Sequence, residues 1–238
     1  MKRYILLSTI LLFIVFATKA QEKKINTLSE KEKQEGWELL FDGKTLNGWH
    51  TYGKKDTVIG WRVIDGVLYN SGKGSDHGGD IVTDRKFKNF ELYIEWRIDY
   101  QSNSGIFYHV NEEAEDAIYK TGPEYQLLDD KNWPDKLKAY QYTGANYAMN
   151  APVGAEVKPL DQYNVTRIIV NGPHVEHWLN GVKVVEYELW TKEWEKNKMN
   201  GKWKDFPNYG IFKTGNIGLQ DHGGLTRFRN IKIKVLPD

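Results

Sequence analysis

Cysteine is absent from all 238 residues of the chain. Its absence excludes disulfide bonds and cysteine nucleophiles, so an exported protein of this sequence must be stabilised by burial of a hydrophobic core. An excess of either charge is also missing, because 33 basic side chains stand against 32 acidic ones. A chain without a basic surplus is not expected to bind nucleic acid.

Several familiar catalytic motifs are missing as well. The sequence contains no HExxH zinc motif, no phosphate-binding P-loop and no Gly-x-Ser-x-Gly elbow. The Glu-x-Asp-x-x-Glu strand of β-glucanase-like sandwiches is absent too, since Glu91 and Glu95 have the wrong spacing and Tyr93 lies between them. There is no internal repeat and no Pro- or Ser-rich linker, which predicts one domain over residues 35–238.

One hydrophobic run is present, at the N-terminus. Lys2 and Arg3 precede the apolar stretch 4–16, and small residues follow up to Ala20. This pattern predicts a secretory signal peptide over residues 1–20, since the run is short for a membrane span. No cysteine follows that would carry a lipid, so we expect a periplasmic protein without a membrane anchor. The expected mature chain of about 218 residues has 30 basic and 32 acidic side chains.

The remaining chain reads mostly as short β-strands. Residues 90–98 alternate strictly between apolar and polar or amphipathic positions, and Asp65-Gly66 and Asn180-Gly181 each separate two apolar runs as in a β-hairpin. Ser29 and Glu32 match a capping box, which predicts a short helix within the polar segment 21–34. This pattern predicts an all-β sandwich with a short N-terminal helix.

Two long segments, 130–160 and 188–209, lack a strand pattern. Loops of this length in a compact domain are usually functional or disordered. The second segment contains Trp190, Trp194 and Trp203, which argue against disorder. We therefore expect these segments to shape specificity.

Polar side chains on non-core faces of three predicted strands are the candidate site residues. Two residues along a strand lie about 7 Å apart, so neighbours on one face can reach the same ligand. If the three strands belong to one sheet, their polar faces form one surface suited to a hydroxyl-rich ligand. A solvated exterior with surface ion pairs explains the same pattern. The candidates are Glu95 and Arg97, Glu124 and Gln126 with Asp129 at the strand end, and Gln220 and His222; Ser104 and His109 lie on opposite faces of a further strand.

Several strings along the chain are distinctive when they are taken together. They include GWELLFDGKTLNGWH, FELYIEWRI, NSGIFYHV, EYQLLD and GNIGLQDHGGLTRFRNIKIK. In this order they resemble the exported bacterial family of 3-keto-disaccharide hydrolases, over about residues 35–236. The resemblance implies a concanavalin A-like jelly roll and action on glycosides whose C3 hydroxyl is oxidised to a ketone. The family's motif positions fall on Glu95, Arg97, Ser104, Glu124, Gln126, Gln220, His222 and Arg227.

A ketone at C3 acidifies the C2 hydrogen, so a base can start β-elimination of the C1 substituent, and water can then add back. This route differs from that of ordinary glycosidases. We expect Glu124 or His222 to be the base, with Glu124 ahead, and Arg97, oriented by Glu95, to stabilise the oxyanion.

The other candidates are expected to bind the substrate. They are Gln126, Gln220, Ser104, Asp129, His109 and Arg227. A divalent cation could replace Arg97 as the electrophile, with ligands drawn from His109, Glu124, Asp129 and His222.

Three alternatives stay open at this point: a non-catalytic carbohydrate-binding module, a conventional glycosidase, and a structural or adhesive surface protein. The sugar, the linkage, the choice between hydrolase and lyase, and the oligomeric state are not determined by these patterns.

Overall fold

The computed structural model describes residues 24–74 and 79–238, which contain two antiparallel β-sheets packed face to face. The predicted signal peptide lies outside the described residues. The strands are β1 (Trp37–Leu39), β2 (Trp49–Thr51), β3 (Arg62–Ile64), β4 (Val67–Tyr69), β5 (Ile81–Phe87), β6 (Phe90–Ile98), β7 (Asn103–Val110), β8 (Glu124–Leu128), β9 (Asn164–Asn171), β10 (His174–Leu179), β11 (Val182–Glu188), β12 (Gly215–Leu219) and β13 (Thr226–Val235). The prediction of an all-β jelly-roll sandwich is confirmed.

The larger sheet has eight strands within the described residues. Its order is β11-β10-β9-β6-β13-β4-β3, and β1 pairs with β13 at the side of this path. The smaller sheet has the order β2-β5-β12-β7-β8. Every strand pair in both sheets is antiparallel.

The core lies between the two sheets. In β6 the apolar members of the alternating pattern, Phe90, Leu92, Ile94, Trp96 and Ile98, are all buried in it. Because successive side chains of a strand point to opposite faces, this alternation places the polar partners on the outer face. The core face of β6 is therefore the one predicted from the sequence.

The turn and cap predictions are confirmed in detail. Asp65-Gly66 joins β3 to β4 with both residues at positive φ, 50° and 77°, as a type I′ turn requires. Asn180-Gly181 does the same between β10 and β11. Helix α1 (Glu30–Gln34) starts after a capping box in which Ser29 and Glu32 bond reciprocally.

The segment 188–209 contains a helix that the sequence analysis did not predict. Helix α2 (Lys192–Asn200) is capped by Thr191, whose hydroxyl accepts from the backbone N–H of Trp194. A short 3₁₀ helix, Lys202–Asp205, follows at once. Among the residues of α2 only Trp194 and Lys198 are buried, so the apolar stripe is too narrow to stand out in a polar sequence.

The expectation that the polar strands share one sheet is wrong. Strand β6 and the Arg227-bearing β13 belong to the larger sheet, whereas β8 and β12 belong to the smaller one. Alternation along a strand assigns faces but not the sheet, because sheet membership depends on pairings between distant segments. None of the described helices is long and apolar enough to cross a membrane.

Candidate active site

A cavity of about 640 Å³ opens on the outer face of the smaller sheet. This volume lies within the range of roughly 300–1,000 Å³ that is usual for small-molecule sites. Its walls come from β8, the end of β12, the turn after β4, the start of β5 and the 3₁₀ helix 202–205. The described lining residues are Lys73, Gly74, Gly79, Asp80, Asn103, Tyr119, Glu124, Gln126, Tyr147, Lys202, Phe206, Gln220, Asp221 and His222.

Glu124 is a buried carboxyl group of the cavity. It begins β8, whose neighbours Tyr125 and Leu127 belong to the core, so Glu124 projects to the opposite face. Burial raises the pKa of Glu124 to about 8, although the charge of Lys202 opposes this shift and that of Asp80 adds to it. At neutral pH the side chain is therefore mainly a neutral carboxylic acid that can donate a proton.

Gly105 makes room for this carboxyl group. It lies on β7 beside β8, where it pairs with Gln126. A Cβ atom at position 105 would collide with the Glu124 carboxyl group. Glycine is therefore required by the close approach of a neighbouring side chain, a reason that the turn-like Asn-Ser-Gly string does not reveal.

Asp80 is the second carboxyl group with a displaced pKa. It immediately precedes β5, and its Oδ1 accepts from the backbone N–H of Asp221 at 3.0 Å. Burial raises the pKa of Asp80 to about 7, with a smaller opposing effect from that hydrogen bond and a raising effect from the Asp221 charge. A carboxyl group with this pKa can both accept and return a proton at neutral pH.

Lys202 is a cation of the cavity that interacts electrostatically with Glu124. Burial lowers its pKa, while the Glu124 charge opposes this shift. Its Nζ lies over three aromatic rings, 4.5 Å from the centroid of Tyr147, 4.6 Å from Trp203 and 5.8 Å from Tyr119. The faces of aromatic rings attract a positive charge, so the rings hold the amine at the cavity wall.

Asp221 is buried, and its carboxylate accepts hydrogen bonds from the loop at the cavity rim. Its carboxylate accepts from the side chain of Asn70, from the N–H and hydroxyl of Ser71 and from the N–H of Gly74. These donors occupy the carboxylate, as expected for a group that organises a loop. Asp221 therefore fixes the turn after β4 against the end of β12.

Two glutamines provide neutral polar groups. Gln126 donates from Nε2 to Oδ1 of Asn103 at 3.2 Å. Gln220 is buried, and its Oε1 has no hydrogen-bond partner within the described part of the chain. A buried carbonyl oxygen without a partner carries a desolvation cost, which a hydroxyl group of a bound sugar would remove.

The structure brings four of the predicted site residues together in this cavity: Glu124, Gln126, Gln220 and His222. His222 differs from the other three because it is exposed, at the rim after Asp221. The Gly223-Gly224 pair that follows has positive φ values of 119° and 76°, which turns the chain back toward β13.

Glu95, Arg97 and Arg227 lie elsewhere, on the outer face of the larger sheet. Glu95 accepts from Arg229 at 2.8 Å and from the hydroxyl of Tyr93 at 3.0 Å. The predicted pairing of Glu95 with Arg97 is therefore wrong, and Arg227 forms an ion pair with Asp99 instead. None of these three predicted site residues lines the cavity.

Ser104, Asp129 and His109 do not line it either. Ser104 faces the core and donates to the backbone oxygen of Gln220 at 2.7 Å, which positions that strand end. Asp129 accepts from Gln101 N–H and from the Asn132 amide in a turn. His109 is buried, bonded through Nε2 to the Lys88 carbonyl at 2.8 Å.

The four residues considered as metal ligands do not converge. Within residues 24–74 and 79–238, the one group whose ligand atoms come close enough is His174, Glu176 and Glu186. It lies on the β10–β11 hairpin of the larger sheet, and Lys183 already pairs with both glutamates, at 3.3 and 2.6 Å. The cluster is thus satisfied by a lysine.

Sequence reasoning missed Asp80 and Lys202. Asp80 follows a Gly-Gly pair and precedes an apolar strand, a position from which an acid can face a site at the strand end. Lys202 adjoins Trp203 in the aromatic-rich segment 188–209, but it is exposed, as are several other lysines of that segment. Lys202 differs from the other lysines of that segment because the folded chain places it at the cavity that contains Glu124 of β8.

A sequence model of the 3-keto-alpha-glucoside-1,2-lyase-like domain matches residues 36–234. The chain belongs to this family. A family relative, the 3-keto-disaccharide hydrolase of Bacteroides thetaiotaomicron, is 34% identical over 250 residues, covering 94% of this chain and 86% of that protein.

Solved structures agree with this family assignment. A crystal structure of a candidate glycosyl hydrolase from Parabacteroides distasonis superposes with a TM-score of 0.85 and 41% identity, covering 90% of this chain and all of that one. A second candidate glycosyl hydrolase from the same organism gives a TM-score of 0.64 and 30% identity, covering 84% of this chain and 99% of that one. The chain therefore shares its sandwich with these two solved structures over most of its length.

Proposed function

We propose that this protein cleaves the glycosidic bond of 3-keto-glycosides or 3-keto-disaccharides. The bond is broken by removal of the C2 proton and β-elimination of the C1 substituent, and hydration of the product completes a net hydrolysis. Membership of the 3-keto-alpha-glucoside-1,2-lyase-like family and the named relative from Bacteroides thetaiotaomicron support this substrate class.

The observation that carries the proposal is the grouping of Glu124, Asp80 and Lys202 around one cavity. Elimination next to a ketone needs a base for the C2 proton, an acid for the leaving oxygen and a positive group for the carbonyl oxygen. The pKa of Asp80, about 7, and that of Glu124, about 8, place both groups near neutral pH, where proton transfer is most effective.

The two carboxyl groups are assigned different roles, because the reaction needs one group that accepts the C2 proton and one that donates a proton to the leaving oxygen. Asp80, with the lower pKa, is the base that removes the C2 proton. Glu124, with the higher pKa, stays protonated and gives its proton to the departing glycosidic oxygen. This assignment changes the sequence-based hypothesis, in which Glu124 was the preferred base.

Lys202 replaces Arg97 as the positive group. Arg97 lies on the larger sheet, whereas Lys202 lines the cavity and interacts electrostatically with Glu124. A cation held at the wall of a partly enclosed cavity stabilises an oxyanion more strongly than one in bulk water. Gln126, Gln220 and His222 then hold the sugar hydroxyl groups.

The proposal also places the reaction in the periplasm. The support is the basic, apolar and small-residue pattern of residues 1–20. Expression of the full chain with a C-terminal tag, followed by fractionation and N-terminal sequencing, tests it. Retention of Met1 in a cytoplasmic fraction would contradict export.

Product analysis by NMR tests the reaction itself. Purified protein is mixed with one disaccharide in its unoxidised form and in its 3-keto form. We expect cleavage of the 3-keto form only, with deuterium from D₂O incorporated at C2. Cleavage of the unoxidised form would instead indicate a conventional glycosidase, and binding without product a carbohydrate-binding module.

A further inference from the structure

The residue that follows Lys202 is anchored in the core. The neighbouring Trp203 is 1% exposed and stacks on Tyr209 with ring centroids 4.1 Å apart and planes 5° apart. The indole N–H of Trp203 donates to the backbone oxygen of Tyr147 at 3.2 Å. The backbone that carries Lys202 is therefore anchored through the side chain of Trp203.

The amine of Lys202 also differs from other lysines of the protein in its partners. Lys183 and Lys33 each have a carboxylate oxygen within 3 Å. No carboxylate oxygen of the described residues lies within 4.0 Å of the Lys202 Nζ. Its charge lies instead over the faces of Tyr147 and Trp203. Without an ion pair, less free energy opposes the loss of the ammonium proton.

A lysine in these surroundings can be a nucleophile as well as a charge. Desolvation beside apolar groups favours the neutral amine, and neutral lysines form imines with carbonyl substrates. The side chain is exposed overall, so a ketone in the cavity can reach the nitrogen. The structure thus supplies an accessible amine that is flanked by aromatic rings and lines the same cavity as a buried carboxylic acid.

We propose that Lys202 forms a protonated imine with the C3 ketone of the substrate. The inference rests on the proposed function, because it requires a 3-keto sugar. It changes the role of Lys202 from an electrostatic partner of the C3 oxygen to a covalent electron acceptor.

Formation of the imine is balanced by the loss of water. The Nζ electron pair adds to C3, and one nitrogen proton passes to the C3 oxygen. That hydroxyl group then leaves as water with a proton from Glu124, which leaves a C=N⁺–H bond between C3 and Lys202. Glu124 regains a proton from solvent, because its pKa of about 8 lies above neutral pH.

The elimination then follows without any oxidant or reductant. Asp80 takes the C2 proton, and the electron pair of that bond forms the C2=C3 bond of an enamine. When the nitrogen returns its electron pair, the C1–O bond breaks and the departing oxygen takes the proton of Glu124. Water adds to C1 and gives a proton to Glu124, Asp80 returns its proton to C2, and a second water hydrolyses the imine and regenerates the lysine.

The aromatic rings around Lys202 also accommodate the positive charge of the imine. A protonated imine keeps its positive charge at the nitrogen, where the rings of Tyr147, Trp203 and Tyr119 already lie. Cation–π attraction therefore stabilises the imine as it does the ammonium.

Borohydride trapping tests the inference in the full-length mature protein. The protein is incubated with 3-ketoglucose or a 3-keto-disaccharide, reduced with sodium borohydride, digested and mapped by mass spectrometry. We expect a covalent adduct on the peptide containing Lys202, heavier by the sugar less one oxygen atom. Cleavage of the substrate with no adduct, or with an adduct on another lysine only, would overturn the imine.

Two variants separate covalent from electrostatic action. Lys202→Arg keeps the positive charge but cannot form the imine, and we expect it to lose the adduct and at least about 100-fold in kcat. Lys204→Arg changes a neighbouring exposed lysine and should retain both the adduct and the activity. Activity of Lys202→Arg within about fivefold of the parent would show that charge alone suffices.

The failure of this inference is distinguishable from the failure of the proposed function. If the parent protein leaves 3-keto-disaccharides intact, the proposed reaction is wrong whatever the trapping result. If the parent cleaves them but never forms the Lys202 adduct, the reaction stands and only the imine is excluded. Peptide mapping of the parent needs no variant, so it remains decisive even if Lys202→Arg fails to fold.

Discussion

Both outer faces of the sandwich carry buried or half-buried carboxyl groups. Glu95 and Glu91 on the larger sheet form ion pairs, whereas Glu124 on the smaller sheet forms none with a described residue. On the larger sheet Glu95 is paired with Arg229 at 2.8 Å, and Glu91 is paired with Arg167. On the smaller sheet, no described residue forms an ion pair with Glu124 within 4.0 Å. The larger sheet therefore pairs these two glutamates with arginines, whereas the cavity of the smaller sheet leaves Glu124 without an ion pair in the part of the chain that the structure describes.

The pKa directions follow this difference. Burial by itself would raise the pKa of Glu95, but hydrogen bonds with Asn230 and Arg229 outweigh it and leave the pKa below its ordinary value. Burial raises the pKa of Glu124 to about 8, and the more distant Lys202 charge does not outweigh it. A buried glutamate is therefore a structural carboxylate where hydrogen bonds and an ion pair offset the effect of burial on its pKa. Where they do not, it is a candidate acid or base.

Replacement of Glu124 should produce the largest loss of activity. Glu124→Gln keeps the shape of the neutral acid but cannot donate its proton, so we expect kcat on a 3-keto-disaccharide to fall by about 10²–10⁴-fold. The matched change Glu95→Gln on the larger sheet should leave kcat nearly unchanged. Steady-state kinetics of both variants measure the contrast.

Equal losses of kcat in the two variants would contradict the expectation that the smaller sheet carries the catalytic carboxyl group and the larger sheet a structural one. Full turnover by Glu124→Gln would remove Glu124 from the chemistry. Circular dichroism and thermal unfolding of each variant provide the folding control.

Replacement of Asp80 should have the next largest effect. Asp80→Asn keeps the acceptor oxygen for the Asp221 N–H but removes the base, so we expect about a 10²-fold loss of kcat. The exchange of the C2 hydrogen with D₂O should fall in parallel. Normal exchange with slow cleavage would instead assign Asp80 to a later step.

The pH dependence of kcat should be bell-shaped and narrow. Asp80 must be ionised, so the rate should rise with pH through about 7, and Glu124 must be protonated, so it should fall above about 8. Each limb changes the rate by about tenfold per pH unit. The alkaline limb should disappear in Glu124→Gln, and a limb that remains would belong to another group.

The stability of the fold should also depend on pH through Glu124. The folded pKa of Glu124, about 8, exceeds its ordinary value of 4.5, so the folded state holds a proton that the unfolded chain releases. The free energy of unfolding should therefore decrease from about pH 5 to pH 8, by about 1.4 kcal/mol for each unit of pKa difference. Urea unfolding of Glu124→Gln should show a flatter profile over this interval.

The smallest effect on activity is expected for a substitution on the outer face of the larger sheet. Glu95→Gln weakens the contact with Arg229 and should cost about 1–3 kcal/mol of stability while changing kcat less than twofold. Thermal unfolding and kinetics at one temperature measure both quantities. A loss of kcat without a loss of stability would show that the two faces are coupled.

Much of the fold was predictable because its determinants are local. The Asp65-Gly66 and Asn180-Gly181 turns need positive φ values that few other pairs adopt at low cost. The alternation along β6 required one buried face whatever its neighbours. Helix α2 was missed because its two buried residues give too weak a periodic signal.

The candidate site was predictable only in part. Glu124, Gln126, Gln220 and His222 were found because short-range alternation placed them on non-core faces. Glu95 and Arg97 satisfied the same criterion but lie on the other sheet, since alternation does not state which two strands will pair.

Local chemistry, then, was already present in the amino-acid order: the turns, the helix cap, the strand faces and the family resemblance follow from residues a few positions apart. The meeting of Glu124, Asp80 and Lys202 needed the folded chain, because they lie in segments about 40 to 120 positions apart. Their pKa values needed it as well, because desolvation and charge coupling depend on distances in space.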